Sequence, residues 1–262
     1  MDIVELSLKM KRLTQWLDSQ RPPAGLIRKC FDGPPFGHCY VTIDPNRQAR
    51  FASGNMNRAY LCGAEPGMDA DSIRRLIELF AAEGIERFFV WLSPGPDMEM
   101  VRGRLAASGL TRVRWTGYPT MWRGSGSPVR FSTGLDVREV GVDEIAAMRD
   151  PPDEMIWPDY VRTAGQEGCF HYMAFDGQQP VAIATLCTFE GIGYLTSAAT
   201  AESHRRRGAQ QALIARRLER AEALGCTIAV SETLYMLEHS YRNLQRAGFE
   251  VAYDKEVYEW SR

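Results

Sequence analysis

The sequence has almost no excess charge: 31 Lys+Arg face 33 Asp+Glu over 262 residues, a formal net charge of -2. A general nucleic-acid binder usually carries a strongly basic balance or a long basic face, so that class is disfavoured from the outset. Cysteine is sparse and dispersed. The six cysteines, Cys30, Cys39, Cys62, Cys169, Cys187 and Cys226, form no CxxC pair, which argues against a disulfide framework or a thiolate zinc site. The four histidines, His38, His171, His204 and His239, supply no second ligand pair, and no resident metal is expected. No run of 18 apolar residues occurs, and the amino terminus MDIVELSLKMKRLTQWLD has acids within its first five residues and no continuous apolar core. Neither a membrane span nor a signal peptide is expected, and the reading is a reduced, cytoplasmic protein.

What is present has the proportions of a globular protein, 45% hydrophobic and 24% charged, long enough for one large domain or two of about 130 residues. RGSGSPVRFSTG (123 to 134) concentrates small residues near the midpoint and reads as a linker. On either side the order of signals repeats. DADSIRRLIELFAAEG is helical by spacing, then come strand-like RFFVWL, helical DMEMVRGRLAASG and strand-like VRWTGYPTMW. The second half runs through helix AQQALIARRLERAEALG, strand CTIAVSE, helix HSYRNLQRAG and strand VAYDKEVYEW. Gly84 and Gly225 are 141 residues apart, and Gly109 and Gly248 are 139 apart. An internal duplication of an α/β unit, with domains at 1–124 and 130–262, is the economical reading.

The sharpest local feature is SHRRRGAQQALIARRLERAEALG (203 to 225), which follows a hairpin around Asp176-Gly177 and the strand candidate IGYLTSAAT (192 to 200). A strand, a turn with Arg205, Arg206, Arg207 and Gly208, and then a helix together form the layout of an anion site. Free amides at a helix start point outward and the helix dipole adds positive potential there. The turn is no nucleotide P-loop, because neither lysine nor Ser/Thr follows Gly208, and GxGxxG is absent.

With SYRNLQRAGFEVAY following, this stretch resembles the GNAT acetyltransferase superfamily over roughly residues 135 to 262. The family's pyrophosphate loop reads [QR]-x-x-G-x-[GA], and Arg205-Arg206-Arg207-Gly208-Ala209-Gln210 matches it at Arg205 and Gly208 but departs at Gln210. The resemblance implies two tandem GNAT-like α/β units, each a mixed, mostly antiparallel sheet flanked by helices, with the amino-terminal one degenerate. It implies acetyl-CoA as cosubstrate, its phosphates on residues 205 to 210 and its pantetheine arm along Ser197, Ala198, Ala199 and Thr200. By the 141-residue offset the first half offers AEPGMD (64 to 69), with no arginine and two acids, so one coenzyme per chain is expected.

Acetyl transfer to an amine needs a neutral nucleophile, a polarised thioester carbonyl and a proton for the departing thiolate. The family's proton donor is a tyrosine in Y-x-x-x-G-F, and here that position is Leu244. Tyr241 is the candidate substitute, with Ser240 and Asn243 beside it; Asn243 is also a candidate coenzyme contact. Glu190 and Glu232, each near a strand end, are candidate bases. DPPDEMIWPDYVRTAG (150 to 165) sets Asp150, Asp153, Glu154 and Asp159 among Trp157 and Tyr160, a composition suited to a cationic amine. The sequence therefore points to an acetyl-CoA-dependent N-acetyltransferase acting on a small-molecule amine or a protein amino group. A non-catalytic acyl-CoA-binding regulatory protein is the alternative. Nucleic-acid binding through the three arginines with Arg216, Arg217 and Arg220 is disfavoured, since Glu219 and Glu222 interrupt that face. No membrane partner is expected, and the oligomeric state is open.

Overall fold

The computed structural model describes residues 2–20, 22, 24–33, 35–46, 57–62, 69–113 and 117–262. In chain order the elements are α1 (Ile3–Gln20), β1 (Ile27–Gly33), β2 (Gly37–Ile43), β3 (Arg58–Cys62), α2 (Ser72–Ala81), β4 (Arg87–Ser93), α3 (Met98–Ala107), β5 (Thr111–Arg112) and β6 (Tyr118–Gly124). There follow β7 (Asp136–Val140), α4 (Val142–Ala147), α5 (Trp157–Arg162), β8 (Cys169–Asp176), β9 (Gln179–Phe189) and β10 (Ile192–Thr200). A 3-10 turn (Glu202–His204), α6 (Ala209–Ala223), β11 (Ile228–Glu232), α7 (Glu238–Arg246) and β12 (Glu250–Ser261) complete the chain.

Two compact units result, one of residues 1–118 with 253–262, the other of residues 119–252. In the first, β1, β2, β3 and β4 run in order, only β3–β4 is parallel, and β12 lies antiparallel to β4. In the second the order is β6, β11, β10, β9, β8, β7, and only β10–β11 is parallel. The tandem organisation therefore holds, but not at the expected boundaries of 1–124 and 130–262. The strand beyond each parallel pair comes from the other half of the sequence: 120–124 pairs with 228–232, and 256–261 pairs with 87–92.

The expected linker is also part of the packing. Val129 and Phe131 lie against the core of the second unit, and Arg123 is buried with hydrogen bonds to the Ala247 and Ser127 carbonyls. Alternating apolar residues inside a Gly/Ser-rich stretch are what attach it.

The sheet of the second unit is covered on both faces. On one side α6 buries Leu213, Ile214 and Ala221 against Leu186, Leu195 and Ala229, and Leu244 of α7 joins them. Gly193 is required by this approach, because a Cβ there would lie 2.7 Å from the Ala221 Cβ. On the other side Tyr160, Ile145 and Ala164 pack on Met173, Ile183 and Ala199. Tyr160, expected to face an acceptor, is fully buried, edge-on to His171 and bonded to the Tyr172 carbonyl, so that ring is structural.

His171 is itself 3% exposed, with Nε2 2.9 Å from the Tyr160 carbonyl and 3.1 Å from Thr163 Oγ1. Burial pushes its pKa from 6.5 down to about 4, only partly opposed by the Tyr160 hydrogen bond. The folded state thus disfavours the charged imidazole, and the unfolded chain binds the extra proton first. Stability is complete above pH 6.5 and is lost as pH falls toward 4, by up to about 3 kcal/mol once both states are protonated. Denaturant titrations from pH 7 to 4 should show this added loss in the wild type. His171→Gln, which keeps a donor and does not titrate, should lack it.

Candidate active site

Strands β10 and β11 run parallel from Ile192↔Ile228 to Leu195↔Ser231, and their pairing stops there. Ser231 closes the last step, its hydroxyl donating to the Leu195 carbonyl at 2.9 Å. Beyond it β10 continues to Thr200 paired with β9, through a register shift between Thr196 and Ala199 where Ser197 takes a left-handed φ of 46°. The two parallel strands have parted, and an edge of peptide groups on Thr196–Thr200 is left toward the gap. Such an edge can accept an extended amide-bearing chain as it would another strand. The four residues expected here are not equivalent. Ala198 is exposed, Ser197 and Thr200 are half-buried, and Ala199 is packed among Tyr160, Ile145 and Ile183.

Past the strand, Ala201 N–H donates to the Val181 carbonyl and the chain enters the arginine turn. Arg206 adopts φ 63° and Gly208, the residue before α6, φ 83°. Left-handed residues in a short turn allow backbone amides to converge on a common side, and α6 adds the amides of its first turn. Gly208 is needed twice over: its φ disfavours a side chain, and a Cβ would lie 3.1 Å from the Ser132 carbonyl.

The three arginines have different surroundings. Arg207 donates to Asp176 at 2.6 Å, Arg205 lies 3.7 Å from Glu202, and Arg206 is exposed with no ion pair among the described residues. Asp176, in the β8–β9 turn, also meets His204 at 3.3 Å, and the Arg207 hydrogen bond holds its carboxyl below the ordinary range. Ala209 is buried at the helix start. Gln210, where the family pattern wants a small residue, donates through Nε2 to Thr200 Oγ1 at 3.0 Å, tying the helix start to the end of β10. Thr133 Oγ1 donates to the Arg207 carbonyl at 2.8 Å, so the 123–134 segment also supports the turn.

The two candidate bases are separated. Glu190 sits in the tight turn between β9 and β10, at the far end of β10 from the gap, with φ 45°. Glu232 follows Ser231, the last residue paired with β10, and so stands at the fork. Thr120 Oγ1 donates to its Oε1 at 2.9 Å and the Tyr194 hydroxyl to its Oε2 at 3.4 Å. Gly193 and Leu195 face α6, so Tyr194 and the carboxylate it reaches occupy the opposite face of the sheet. Neither Tyr194 nor Thr120 stands out in the sequence; what marks them is register, which places 194 beside 230 and 120 beside 232.

Leu244 is 4% exposed in the core. Tyr241, one turn earlier on α7, packs on the rim of the same cluster with its ring 5.2 Å from that of Tyr235. Asn243 accepts through Oδ1 from Arg246 on its own helix at 3.2 Å. The helix arginines also divide. Arg216 pairs with Glu219 on the surface, whereas Arg217 is buried inside the unit, contrary to its reading as part of one basic face. Of the 64–69 segment, residues 64–68 lie outside the described residues and Asp69 pairs with Arg75 at 3.4 Å. Among the described residues no cluster of three His, Cys, Asp or Glu could hold a metal, and no helix is long and apolar enough to cross a membrane.

With this geometry in place, residues 141–249 match the sequence model of the acetyltransferase (GNAT) family. Among curated proteins none matches the sequence significantly. Solved structures resemble it along its whole length. A GCN5-related N-acetyltransferase from Kribbella flavida is 16% identical at a TM-score of 0.63, covering 99% of this chain and 95% of its own. A tandem GNAT protein from the clavulanic acid biosynthesis pathway is 12% identical at 0.62, covering 98% and 93%. A GCN5-related N-acetyltransferase from Sphaerobacter thermophilus is 11% identical at 0.58, covering 91% and 96%. At such identities the likeness establishes the fold, two GNAT-like units in tandem.

Proposed function

We propose that this chain, whose residues 141–249 match the acetyltransferase (GNAT) family and whose fold is tandem GNAT, uses its second unit to transfer an acetyl group from acetyl-CoA to an amine. One observation carries the reading: β10 and β11 part at Leu195–Ser231, and β10 runs on with a free edge to Thr200, shortly before a turn that sets two left-handed residues and an exposed Arg206 at the start of α6. An extended polar arm ending in phosphates fits that succession of free strand edge and amide-rich turn.

Acetyl-CoA supplies the activated acyl group. Glu232, fixed from both sides by Thr120 and Tyr194, accepts a proton from the acceptor's ammonium and leaves a neutral amine. The amine adds to the thioester carbonyl, forming the N–C bond and an oxyanion; the C–S bond then breaks as the carbonyl re-forms, the nitrogen loses a proton and the departing thiolate takes one up. Leu244 cannot give it. Tyr241 is three residues away on the helix and about 60° around its axis, so its hydroxyl serves only if the start of α7 turns toward the gap.

Tyr241→Phe deletes the hydroxyl alone. A drop of about 10²-fold in turnover with unchanged coenzyme affinity would make it the acid, and full retained turnover would leave the proton to solvent. Retention is expected, because the Tyr241 ring is engaged with Tyr235. The reading as a whole is tested by calorimetry with acetyl-CoA followed by labelled acetyl transfer to an amine library. Binding without transfer to any amine would favour a regulatory acyl-CoA sensor, the role that Leu244 in the acid's position supports.

A further inference from the structure

Arg217 is 2% exposed, yet among the described residues it pairs with no carboxylate. Its Nε donates to the Leu213 carbonyl at 3.1 Å within α6, and its Nη1 donates to two strand carbonyls, Thr185 at 3.1 Å and Thr196 at 3.3 Å. A buried guanidinium without an anion is a costly way to fill a core, and an apolar side chain of similar length would do so at lower cost.

Its position is specific. Thr185 and Thr196 face each other across β9 and β10, and Thr196 is the last residue before the register shift. The next residue, Ser197, holds a left-handed backbone that a serine does not adopt unaided. Because the peptide is planar and trans, the Ser197 N–H points away from the Thr196 carbonyl. That carbonyl shares the guanidinium with Thr185 of β9. The N–H is therefore directed to the other side, where β11 has departed.

We propose that Arg217 is a positioning residue for acyl transfer: it fixes the β10 bulge from inside the core and polarises the Thr196–Ser197 peptide, presenting the Ser197 N–H as a strengthened donor to the acyl carbonyl. This rests on the proposed placement of the acyl arm along β10. A charge-assisted bond to one end of a peptide strengthens the donor at the other. A donor already in place stabilises the oxyanion formed as the amine attacks, with no reorganisation at that moment. Arg217 touches neither substrate and acts through the peptide.

The test is isotope-edited infrared spectroscopy of [1-13C]acetyl-CoA bound to the full chain. In the wild type the carbonyl band should lie below that of free acetyl-CoA. In Arg217→Met it should move back toward the free position, with coenzyme affinity within about threefold and kcat on an accepted amine reduced about tenfold at unchanged KM. Arg217→Lys, which keeps the charge, should recover part of both. If Arg217→Met does not fold, Arg217→Gln keeps a donor without the charge and should give an intermediate band. A band that stays in place in a folded Met or Gln variant, or a bound wild-type carbonyl with no shift, overturns the role of Arg217 alone. Failure of the wild type to bind acetyl-CoA overturns the proposed function beneath it.

Discussion

Gly208→Asp is expected to bind acetyl-CoA at least about tenfold more weakly than Gly208→Asn, on the order of 1.4 kcal/mol or more. The comparison with asparagine is what isolates the cause. Both side chains must enter the left-handed conformation at φ 83° and both place a Cβ 3.1 Å from the Ser132 carbonyl. The strain is shared, and asparagine and aspartate tolerate that region better than other residues. Only aspartate adds a negative charge, and it does so where the amides before and within the first turn of α6 would receive a pyrophosphate. Calorimetry on the two folded variants reads the difference directly. Equal affinities would mean that the phosphates lie elsewhere.

Glu232→Gln should lower kcat by about 10²-fold or more while leaving acetyl-CoA affinity unchanged, because the carboxylate stands at the fork on the sheet face opposite α6. Glutamine is close in shape; its amide oxygen can accept from one of Thr120 and Tyr194 while its NH2 donates to the hydroxyl of the other, so both contacts at 2.9 Å and 3.4 Å can persist, one of them reversed, and proton uptake is lost. Glu190→Gln should be silent, since that residue sits in the turn at the other end of β10. Steady-state kinetics on one accepted amine separates the two. A silent Glu232→Gln would show that a solvent chain deprotonates the acceptor.

Much of the second unit was legible in the sequence. Local pattern is enough for the hairpin at Asp176-Gly177, the strand over 192–200 and the helix after Gly208, because each is marked by alternation, a turn residue or a 3.6-residue period. The choice of strand partner was not legible. VRWTGYPTMW and VAYDKEVYEW share an apolar and aromatic pattern that says strand but not beside which neighbour, and the structure places 120–124 beside β11 and 256–261 beside β4.

The same limit applied at the site. Glu190 and Glu232 are both acids near strand ends, and only the parallel register of β10 and β11 shows which end opens. Arg217 had a signal that charge concealed: it lies four residues from both Leu213 and Ala221, on the buried stripe of α6. The Gly/Ser composition of 123–134 likewise hid Val129 and Phe131, and with them the contact of Ser132 and Thr133 on Gly208.

A crystal structure of the full chain grown with acetyl-CoA tests the central claim most directly. One coenzyme per chain is expected, its pyrophosphate on the amides of residues 206 to 210 and its arm alongside Ser197–Thr200 in the gap where β10 leaves β11. A coenzyme bound away from that gap, a second one in the first unit, or no complex at saturating acetyl-CoA would contradict it.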